Sequence, residues 1–242
     1  MTEDNISLAF DFVERCGNAS RIEDLVEDFR ATISRFGFHH SACGCWLGAG
    51  GNQVARFFFA DWPEDVAKVY AEKDIFSKDP LVFAARRRMT AYTWAMVLDE
   101  EPLQPEMRDI FDFIAQYDIR DGFCVPIHGP AGYQGLVSLL APGKLDLSAR
   151  EQSTLEMMSR AIHDRCRATV GFGMIDTVVP EMSKREIECM KWVAAGKTDW
   201  EIGQILGISR STAHFHVERA KKKLRKTSRT EAVAILVLHG LI

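Results

Sequence analysis

A short basic segment near the end of the chain contains the residue types that bind polyanions. Three consecutive lysines at 221–223 follow arginine, serine, threonine, histidine, phenylalanine and glutamate within 210–218. Lysine and threonine suit phosphate contacts, whereas histidine, glutamate and phenylalanine can reach base edges in the DNA major groove. This spacing is typical of a DNA-contact helix, in which the predicted phosphate contacts come from Thr212, Lys221 and Lys222, the base contacts from His214, Phe215 and Glu218, and further contacts from Arg210 and Ser211.

The charge of the chain is unevenly distributed around this segment. The 242 residues have a formal net charge of −4. Residues 180–242 hold 12 Lys and Arg against 7 Asp and Glu, a net charge of +5, so residues 1–179 carry −9. A basic module on an acidic body indicates a localised polyanion site rather than a general affinity for anions. The alternative is a solvated basic helix in a small helical bundle.

The helices that must position these residues have clear boundaries. Ser183–Glu186, Thr198–Glu201 and Ser228–Glu231 each place a hydroxyl three residues before a glutamate, which is the pattern of a capping box at a helix start. Ser209 can cap a fourth helix. Gly207 permits a tight turn between the second and third helices, so the pair is predicted to form a helix-turn-helix.

Apolar spacing predicts which faces of these two helices are buried. In the helix over 198–206, Ile202, Ile205 and Leu206 fall on one face. In the next helix the apolar residues recur at three- and four-residue intervals. The predicted buried stripe of that helix is Ala213, Val217, Ala220 and Leu224.

The first part of the chain mixes helical and strand periods. It is predicted to be an α+β fold, an α-β-α sandwich with an antiparallel sheet, over residues 1–168. A linker at 169–180 and a small all-α, four-helix domain at 181–242 follow. The predicted helices cover 5–16, 22–36, 105–117 and 147–168, with short ones after Pro63 and Pro80, and the strands cover 41–47, 53–60, 122–129 and 133–141.

Composition argues against several classes of protein. The chain is 47% hydrophobic and 26% charged, as is ordinary for a globular protein, and no apolar run approaches the roughly 18 residues of a membrane span. The acidic start lacks the positive charge of a secretory signal, so we expect a cytoplasmic protein whose six cysteines are reduced. His39, His40, Cys43 and Cys45 are a possible metal cluster, but alternation on a strand favours Cys43 and Cys45 as core residues. A zinc site would also need paired ligands elsewhere in the chain, and the sequence has none, so we expect no metal site. No spacing supports a nucleophile oriented by a base, so we expect no enzyme.

The C-terminal part of the chain carries a specific pattern of residues: Glu186, Met190, Gly196 to Thr198, Glu201, Ile202, Ser209, Thr212 and His216. Through this pattern, residues 181–242 resemble the C-terminal DNA-binding domain of LuxR-type transcription regulators. The resemblance implies binding to double-stranded DNA, with a homodimer on a palindromic site and RNA polymerase as a partner. Helix 147–168 and helix 229–239 are candidate dimer surfaces, the latter through Val233, Leu236 and Val237.

Residues 1–168 resemble the autoinducer-binding domain of the quorum-sensing branch of that family, with Tyr70, Asp79, Pro80, Trp94 and Gly122 at matching positions. The resemblance implies a small-molecule effector, an N-acyl homoserine lactone, and no cofactor. Asp79 would accept a hydrogen bond from the ligand amide, and Tyr70 would donate to the acyl carbonyl. The implied lactone and acyl contacts are completed by Trp94 against the lactone ring, Ser138 near the acyl amide, and Phe57, Phe59, Trp62 and Phe83 along the acyl chain.

One position departs from the family pattern. Val66 stands where the family usually has a tryptophan that donates to the lactone carbonyl, and valine has no donor. Trp62, one turn earlier, can supply a donor from another direction. The alternatives left open are a lactone bound differently, a different signal, or an orphan regulator without a signal. From the residues alone, Asp79 before Pro80 is also an ordinary helix start, and Tyr70 and Trp94 are also ordinary core aromatics.

Overall fold

The computed structural model describes residues 3–19, 21–47, 54–100, 102–129, 132–170 and 180–242. The chain separates into two compact units, one of residues 1–128 with 133–173 and one of residues 129–132 with 174–242. Of the predicted linker at 169–180, Thr169 and Val170 continue a helix, and 171–179 lie outside the described residues.

The first unit is built from seven helices and five strands within the described residues. Two 3₁₀ turns, Ile75–Ser77 and Ala115–Tyr117, follow the third and the sixth helix. The helices are α1 (Glu3–Asn18), α2 (Ile22–Ser34), α3 (Glu64–Glu72), α4 (Pro80–Arg87), α5 (Trp94–Glu100), α6 (Pro105–Ile114) and α7 (Ala149–Val170), and the strands are β1 (His40–Leu47), β2 (Val54–Ala60), β3 (Tyr92–Thr93), β4 (Asp121–His128) and β5 (Gln134–Ala141).

The five strands form one antiparallel sheet in the order β2-β1-β5-β4-β3. Helices α1, α2 and α7 pack on one face, and α4 and α5 pack on the other. The predicted α+β sandwich is therefore confirmed. Alternation along β1 places Cys43 and Cys45 in the core beneath α7, whereas Trp46 lies in the core of the opposite face. Within the described ranges, no three or more His, Cys, Asp or Glu side chains are grouped so that they could hold a metal ion.

A β-bulge in β2 determines which aromatic residues face which helix layer. Cys43 pairs with Phe59 and Gly44 pairs with Phe57, so Phe58 is an extra residue on the β2 side. An extra residue reverses the alternation of side chains along a strand. Phe57 and Phe59 therefore lie on opposite faces, although their spacing alone predicts one face.

The second unit contains α8 (Lys184–Ala194), α9 (Asp199–Leu206), α10 (Arg210–Lys223) and α11 (Arg229–Leu238). The three predicted capping boxes are all formed, with reciprocal bonds between the capping hydroxyl residue and the glutamate three residues on. Ser209 caps α10, as predicted. These capping residues determine where the four helices begin, because each satisfies backbone N–H groups that the first turn of a helix leaves unpaired.

The core of the second unit differs from the sequence prediction at two positions. The predicted stripe of α10 is buried, together with Ile202 of α9. Ile205, however, is 43% exposed, because α9 has only eight residues and packs through Ile202 and Gly203. Leu236 is fully buried among the helices of its own unit, so the predicted dimer surface on α11 loses that residue, whereas Val237 is 52% exposed. In the part of the chain that is described, no helix has both the length and the apolar character needed to cross a bilayer.

Candidate functional site

A cavity of about 80 Å³ lies between the sheet and α3 to α6 of the first unit. Its walls are predominantly apolar, with a few polar atoms. This combination is typical of small-molecule sites, where shape gives affinity and a few polar groups fix orientation. All six predicted ligand-binding residues line it: Trp62, Val66, Tyr70, Asp79, Trp94 and Ser138.

Asp79 and Tyr70 form the polar centre of the cavity. The Tyr70 hydroxyl donates to Asp79 Oδ2 at 2.7 Å, and the backbone N–H of Leu81 donates to Asp79 Oδ1 at 2.8 Å. Asp79 is the N-cap of α4, with Pro80 at the first helical position, so the ordinary helix-start interpretation is correct as well. Each carboxylate oxygen retains capacity for a second hydrogen bond, because an ionised carboxylate has about four acceptor sites.

Burial dominates the electrostatics of this pair. Asp79 is 8% exposed, and burial raises the pKa of its carboxyl, against the lowering effect of the Tyr70 and backbone hydrogen bonds. Burial, reinforced by the neighbouring Asp79, raises the pKa of Tyr70 well above its ordinary value, so the phenol stays a donor. A ligand amide that donates to Asp79 would supply a further partner to a carboxylate that is largely removed from solvent.

Trp94 and Gly122 form one packing unit at the side of the cavity. A Cβ on Gly122 would lie 2.4 Å from Trp94 Nε1 and 2.9 Å from the backbone oxygen of Leu139. Only glycine therefore admits the indole at this place on β4, which gives Gly122 a structural role. Phe111 of α6 also lines the cavity beside Trp94, and the centres of the two rings are 5.2 Å apart.

Aromatic side chains form the opposite wall of the cavity. The Phe57 ring meets the rings of Trp62 and Phe76 edge-on at 5.4 and 6.3 Å, and Trp46 meets Phe76 at 5.4 Å. Such edge-to-face pairs hold their members in fixed relative positions. The cavity wall thus contains the predicted Phe57 and Trp62, and also Phe76 and Trp46, which sequence reasoning missed.

Phe59 and Phe83 were predicted for this wall and are not part of it. Phe59 packs on Phe29 of α2, with ring centres 6.3 Å apart, because the bulge at Phe58 turns it to the other face. Phe83 is 38% exposed on the outer side of α4, beside Arg86. Met107, Ile110 and Phe111 of α6 were also missed as cavity residues, although the 3–4 spacing in the predicted helix 105–117 was a signal for one buried face.

The DNA-contact candidates all lie on α10 of the second unit, which follows α9 after a short turn. Gly207 ends α9 with φ of 65°, which a glycine adopts without strain. A Cβ on Gly203 would lie 2.8 Å from the backbone oxygen of Ile208, so this glycine permits the turn to pack closely on α9. The outward side of α10 exposes six of the eight predicted contact residues, Arg210, Ser211, His214, Phe215, Glu218 and Lys222, and leaves Thr212 and Lys221 half-buried.

Two predicted base contacts already have partners within the unit. His214 Nδ1 lies 2.8 Å from Asp199 Oδ2, and Arg229 donates to Asp199 Oδ1 at 2.8 Å, so one carboxylate joins α9, α10 and α11. Lys221 donates to Glu218 at 2.7 Å along the same helix. A base contact by Glu218 therefore competes with this ion pair.

A buried carboxylate anchors the C-terminal end of α10. Glu186 of α8 is 1% exposed, and it accepts hydrogen bonds from the Ser183 backbone at 2.7 Å and from Lys223 at 2.7 Å. Arg219 lies 3.1 Å from its other oxygen. Burial alone would raise the pKa of Glu186, but the bonds from Lys223 and Ser183 outweigh it and hold the pKa below its usual value.

Two family models match the chain on either side of residues 167–179. The autoinducer binding domain matches residues 21–166, which contain the cavity, and the bacterial regulatory proteins of the luxR family match residues 180–236. Among curated relatives, the transcriptional activator protein BjaR1 of Bradyrhizobium diazoefficiens is 30% identical over 97% of this chain and 96% of its own length. The quorum sensing-dependent regulator RpaR of Rhodopseudomonas palustris is 29% identical over 75% of this chain and 73% of its own length.

Solved structures show the same fold at lower identity. SdiA in complex with octanoyl-rac-glycerol covers 100% of this chain and 98% of its own with a TM-score of 0.67 at 20% identity. CepR2 of Burkholderia cenocepacia, described as an N-acylhomoserine lactone dependent LuxR family transcription factor, covers 70% of this chain and 99% of its own with a TM-score of 0.57 at 15% identity. The relatives are regulators rather than enzymes. The chain belongs to the LuxR family of bacterial transcription regulators, with an autoinducer binding domain before its helix-turn-helix.

Proposed function

We propose that this regulator binds an N-acyl homoserine lactone in the cavity around Tyr70 and Asp79 and thereby controls its binding to DNA. The observation that carries the proposal is the Tyr70–Asp79 pair, a donor and an acceptor 2.7 Å apart in a predominantly apolar cavity. An acyl amide offers the complementary pair, an N–H for Asp79 and a carbonyl oxygen for Tyr70. The lactone ring would then pack against Trp94, and Ser138 would lie near the amide.

The cavity must widen when such a ligand enters. Its volume of about 80 Å³ is smaller than the roughly 150 Å³ cavity that holds benzene. Side chains of the wall therefore shift on binding, and the ligand replaces contacts that the unit makes with itself. A ligand that binds only the folded protein stabilises it, so binding must raise the unfolding temperature.

DNA is the proposed partner of the second unit. Thr212, Lys221 and Lys222 would hold phosphates, with further contacts from Arg210 and Ser211, while His214, Phe215 and Glu218 would lie at base edges in the major groove. We propose that the protein binds a palindromic site as a homodimer, because two helix-turn-helix units on one duplex contact half-sites about one helical turn or a multiple apart. We further propose that it acts in the cytoplasm, with RNA polymerase as a further partner. The exposed Val237 of α11 supports that helix as a dimer surface, and α7 is the second candidate.

A second candidate function has its own supporting observation. Val66, buried to 5% exposure in the cavity wall, offers only methyl groups where the family usually has a donor. A regulator that works without a lactone, or with another acyl ligand, would tolerate that change. SdiA, which has the same fold, is found in complex with octanoyl-rac-glycerol, an acyl ligand without a lactone ring.

Thermal unfolding of the full chain separates these possibilities. The panel contains N-acyl homoserine lactones from butanoyl to dodecanoyl, with aromatic-acyl members, and octanoylglycerol. Asp79→Asn keeps an oxygen for the Leu81 N–H but presents an amide N–H to the ligand amide. Asp65→Asn is the matched control, because Asp65 also accepts a tyrosine hydroxyl, that of Tyr117 at 2.8 Å, on the exposed side of α3.

The proposal predicts a rise in unfolding temperature with at least one lactone for the wild type and for Asp65→Asn, and none for Asp79→Asn. A rise with octanoylglycerol alone would replace the lactone by another acyl ligand. No rise with any member, from a chain that folds and binds DNA, would favour the ligand-independent regulator.

A further inference from the structure

Six side chains with polar atoms line the cavity, and most of these atoms are already engaged. The indole N–H of Trp46 donates to Gln134 Oε1 at 2.5 Å. The Ser138 hydroxyl lies 3.7 Å from the thiol of Cys124, and Tyr70 donates to Asp79. Two donors are left, because the Nε1 atoms of Trp62 and Trp94 are buried and make no hydrogen bond.

The position of Trp94 makes its N–H unavailable to a ligand. Its Nε1 and Cε2 lie where a Cβ on Gly122 would approach within 2.4 and 2.7 Å, so the nitrogen edge of the indole rests on the backbone of β4. No ligand atom fits between the indole nitrogen and that strand. Trp94 therefore offers its ring to a ligand, and Trp62 is the remaining unpaired donor in the cavity wall.

The indole of Trp62 is held from two sides. Its ring centre is 4.8 Å from that of Tyr70 and 5.4 Å from that of Phe57. Pro63 follows it directly as the N-cap of α3, which restricts the backbone of Trp62. A buried donor without a partner is unfavourable, and a ligand oxygen that reached it would remove that penalty.

The polar groups of an acyl-homoserine lactone can be matched to this set. Such a ligand has an amide N–H, an acyl carbonyl and a lactone carbonyl. When Tyr70 turns its hydroxyl proton from Asp79 to the acyl carbonyl, Asp79 Oδ2 becomes free to accept the amide N–H. The lactone carbonyl then has no donor from Val66, whose side chain is apolar.

We propose that Trp62 Nε1–H donates to the lactone carbonyl oxygen and makes Trp62 the residue that distinguishes a lactone from rings without that carbonyl. This inference rests on the proposed function, since it assigns one contact of the same ligand. It also explains how Val66 is tolerated, because the donor comes from the segment before α3 instead of from α3 itself.

The test compares two ligands that differ only in the carbonyl. One is the N-acyl homoserine lactone that stabilises the chain most in the panel above. The other is the 3-acylaminotetrahydrofuran with the same acyl group, in which a methylene replaces the lactone carbonyl. Calorimetric titration of the full chain gives both dissociation constants, and their ratio measures how strongly the protein recognises the carbonyl.

Three variants locate the donor. Trp62→Phe keeps an aromatic ring and removes the N–H. Trp46→Phe makes the same change in the same cavity at an indole whose N–H donates to Gln134. Ser138→Ala removes a hydroxyl donor from the cavity wall. A hydrogen bond of ordinary net strength corresponds to a ratio of about 3- to 10-fold in the wild type.

Trp62→Phe should weaken lactone binding by about that factor, leave the tetrahydrofuran ligand unchanged and bring the ratio close to one, while the other two variants keep the wild-type ratio. Equal binding of both ligands by the wild type overturns the inference without any variant. An equal loss for both ligands in Trp62→Phe shows a packing role and overturns it, as does a ratio that collapses only in Ser138→Ala. If the wild type binds no lactone at all, the proposed function fails together with the inference.

Discussion

Replacing Glu186 by alanine should destabilise the DNA-binding unit more than any change at a surface ion pair. The carboxylate is 1% exposed and joins the start of α8 to the C-terminal end of α10 through Ser183, Lys223 and Arg219. Removing it leaves the Ser183 N–H without its acceptor and two basic groups without their shared partner.

The size of the loss follows from these contacts. Loss of a capping interaction costs about 1 kcal/mol. Breaking a buried ion pair costs about 3–5 kcal/mol when the remaining charge stays buried. Lys223 is 25% exposed and Arg219 is 57% exposed, so both can turn toward water and the ion-pair loss falls well below that range. The capping loss and the reduced ion-pair loss together should lower the free energy of unfolding by about 3 kcal/mol.

Urea unfolding, followed by a probe confined to the second unit such as hydrogen exchange of the α8 and α10 amides, measures this loss. Glu188→Ala is the matched control on the same helix, because its ion pair with Arg185 at 2.9 Å is exposed on both sides and should contribute less than about 0.5 kcal/mol. Because the pKa of Glu186 is lowered in the folded state, its stabilisation is full above the ordinary carboxyl pKa and is lost as pH falls through the lowered value. The difference in the free energy of unfolding between the wild type and Glu186→Ala should therefore become smaller in acid. A gap below about 1 kcal/mol at neutral pH, or an equal loss in Glu188→Ala, would refute the reasoning.

Three further substitutions test the two sites. Gly122→Ala should lower the stability of the first unit by about 1–3 kcal/mol in urea unfolding, because its Cβ would lie 2.4 Å from Trp94 Nε1; unchanged stability would contradict the packing described. Lys222→Ala should weaken DNA binding similarly for all sequences and reduce the slope of log K against log salt concentration by about one, as measured by fluorescence anisotropy at several salt concentrations. An unchanged slope would refute the assignment of Lys222 to a phosphate contact. Glu218→Ala should change which sequences are preferred in a selection from random DNA, and an equal effect on all sequences would refute the groove assignment.

The helix starts of the second unit could be predicted because their signals are local. Each capping box is complete within four residues, as in Ser183 to Glu186, and so needs no knowledge of the rest of the fold. The turn glycine Gly207 is equally local. The partners of His214 and Glu218 could not be predicted, because Asp199 lies 15 residues from His214 and the Glu218–Lys221 pair depends on side-chain conformation.

The first unit was harder to predict where distant pairing decides the structure. Helix α5, Trp94–Glu100, was missed because seven residues after a two-residue strand are too few for a helical period. Phe59 was assigned to the wrong face because the bulge at Phe58 is set by pairing with β1, not by the sequence of β2. By contrast, Tyr70 and Asp79 were predicted as site residues from the family pattern; both line the cavity, and the structure adds the bond between them.

The affinity of the full chain for DNA, measured with and without lactone, tests the central claim most directly. A site selected from random sequences and labelled for anisotropy serves as the probe, with wild type and Asp79→Asn compared at one salt concentration. We expect the lactone that stabilises the wild type to tighten its DNA binding and to leave Asp79→Asn unchanged. Identical DNA affinity of the wild type with and without that lactone would contradict ligand control of this regulator.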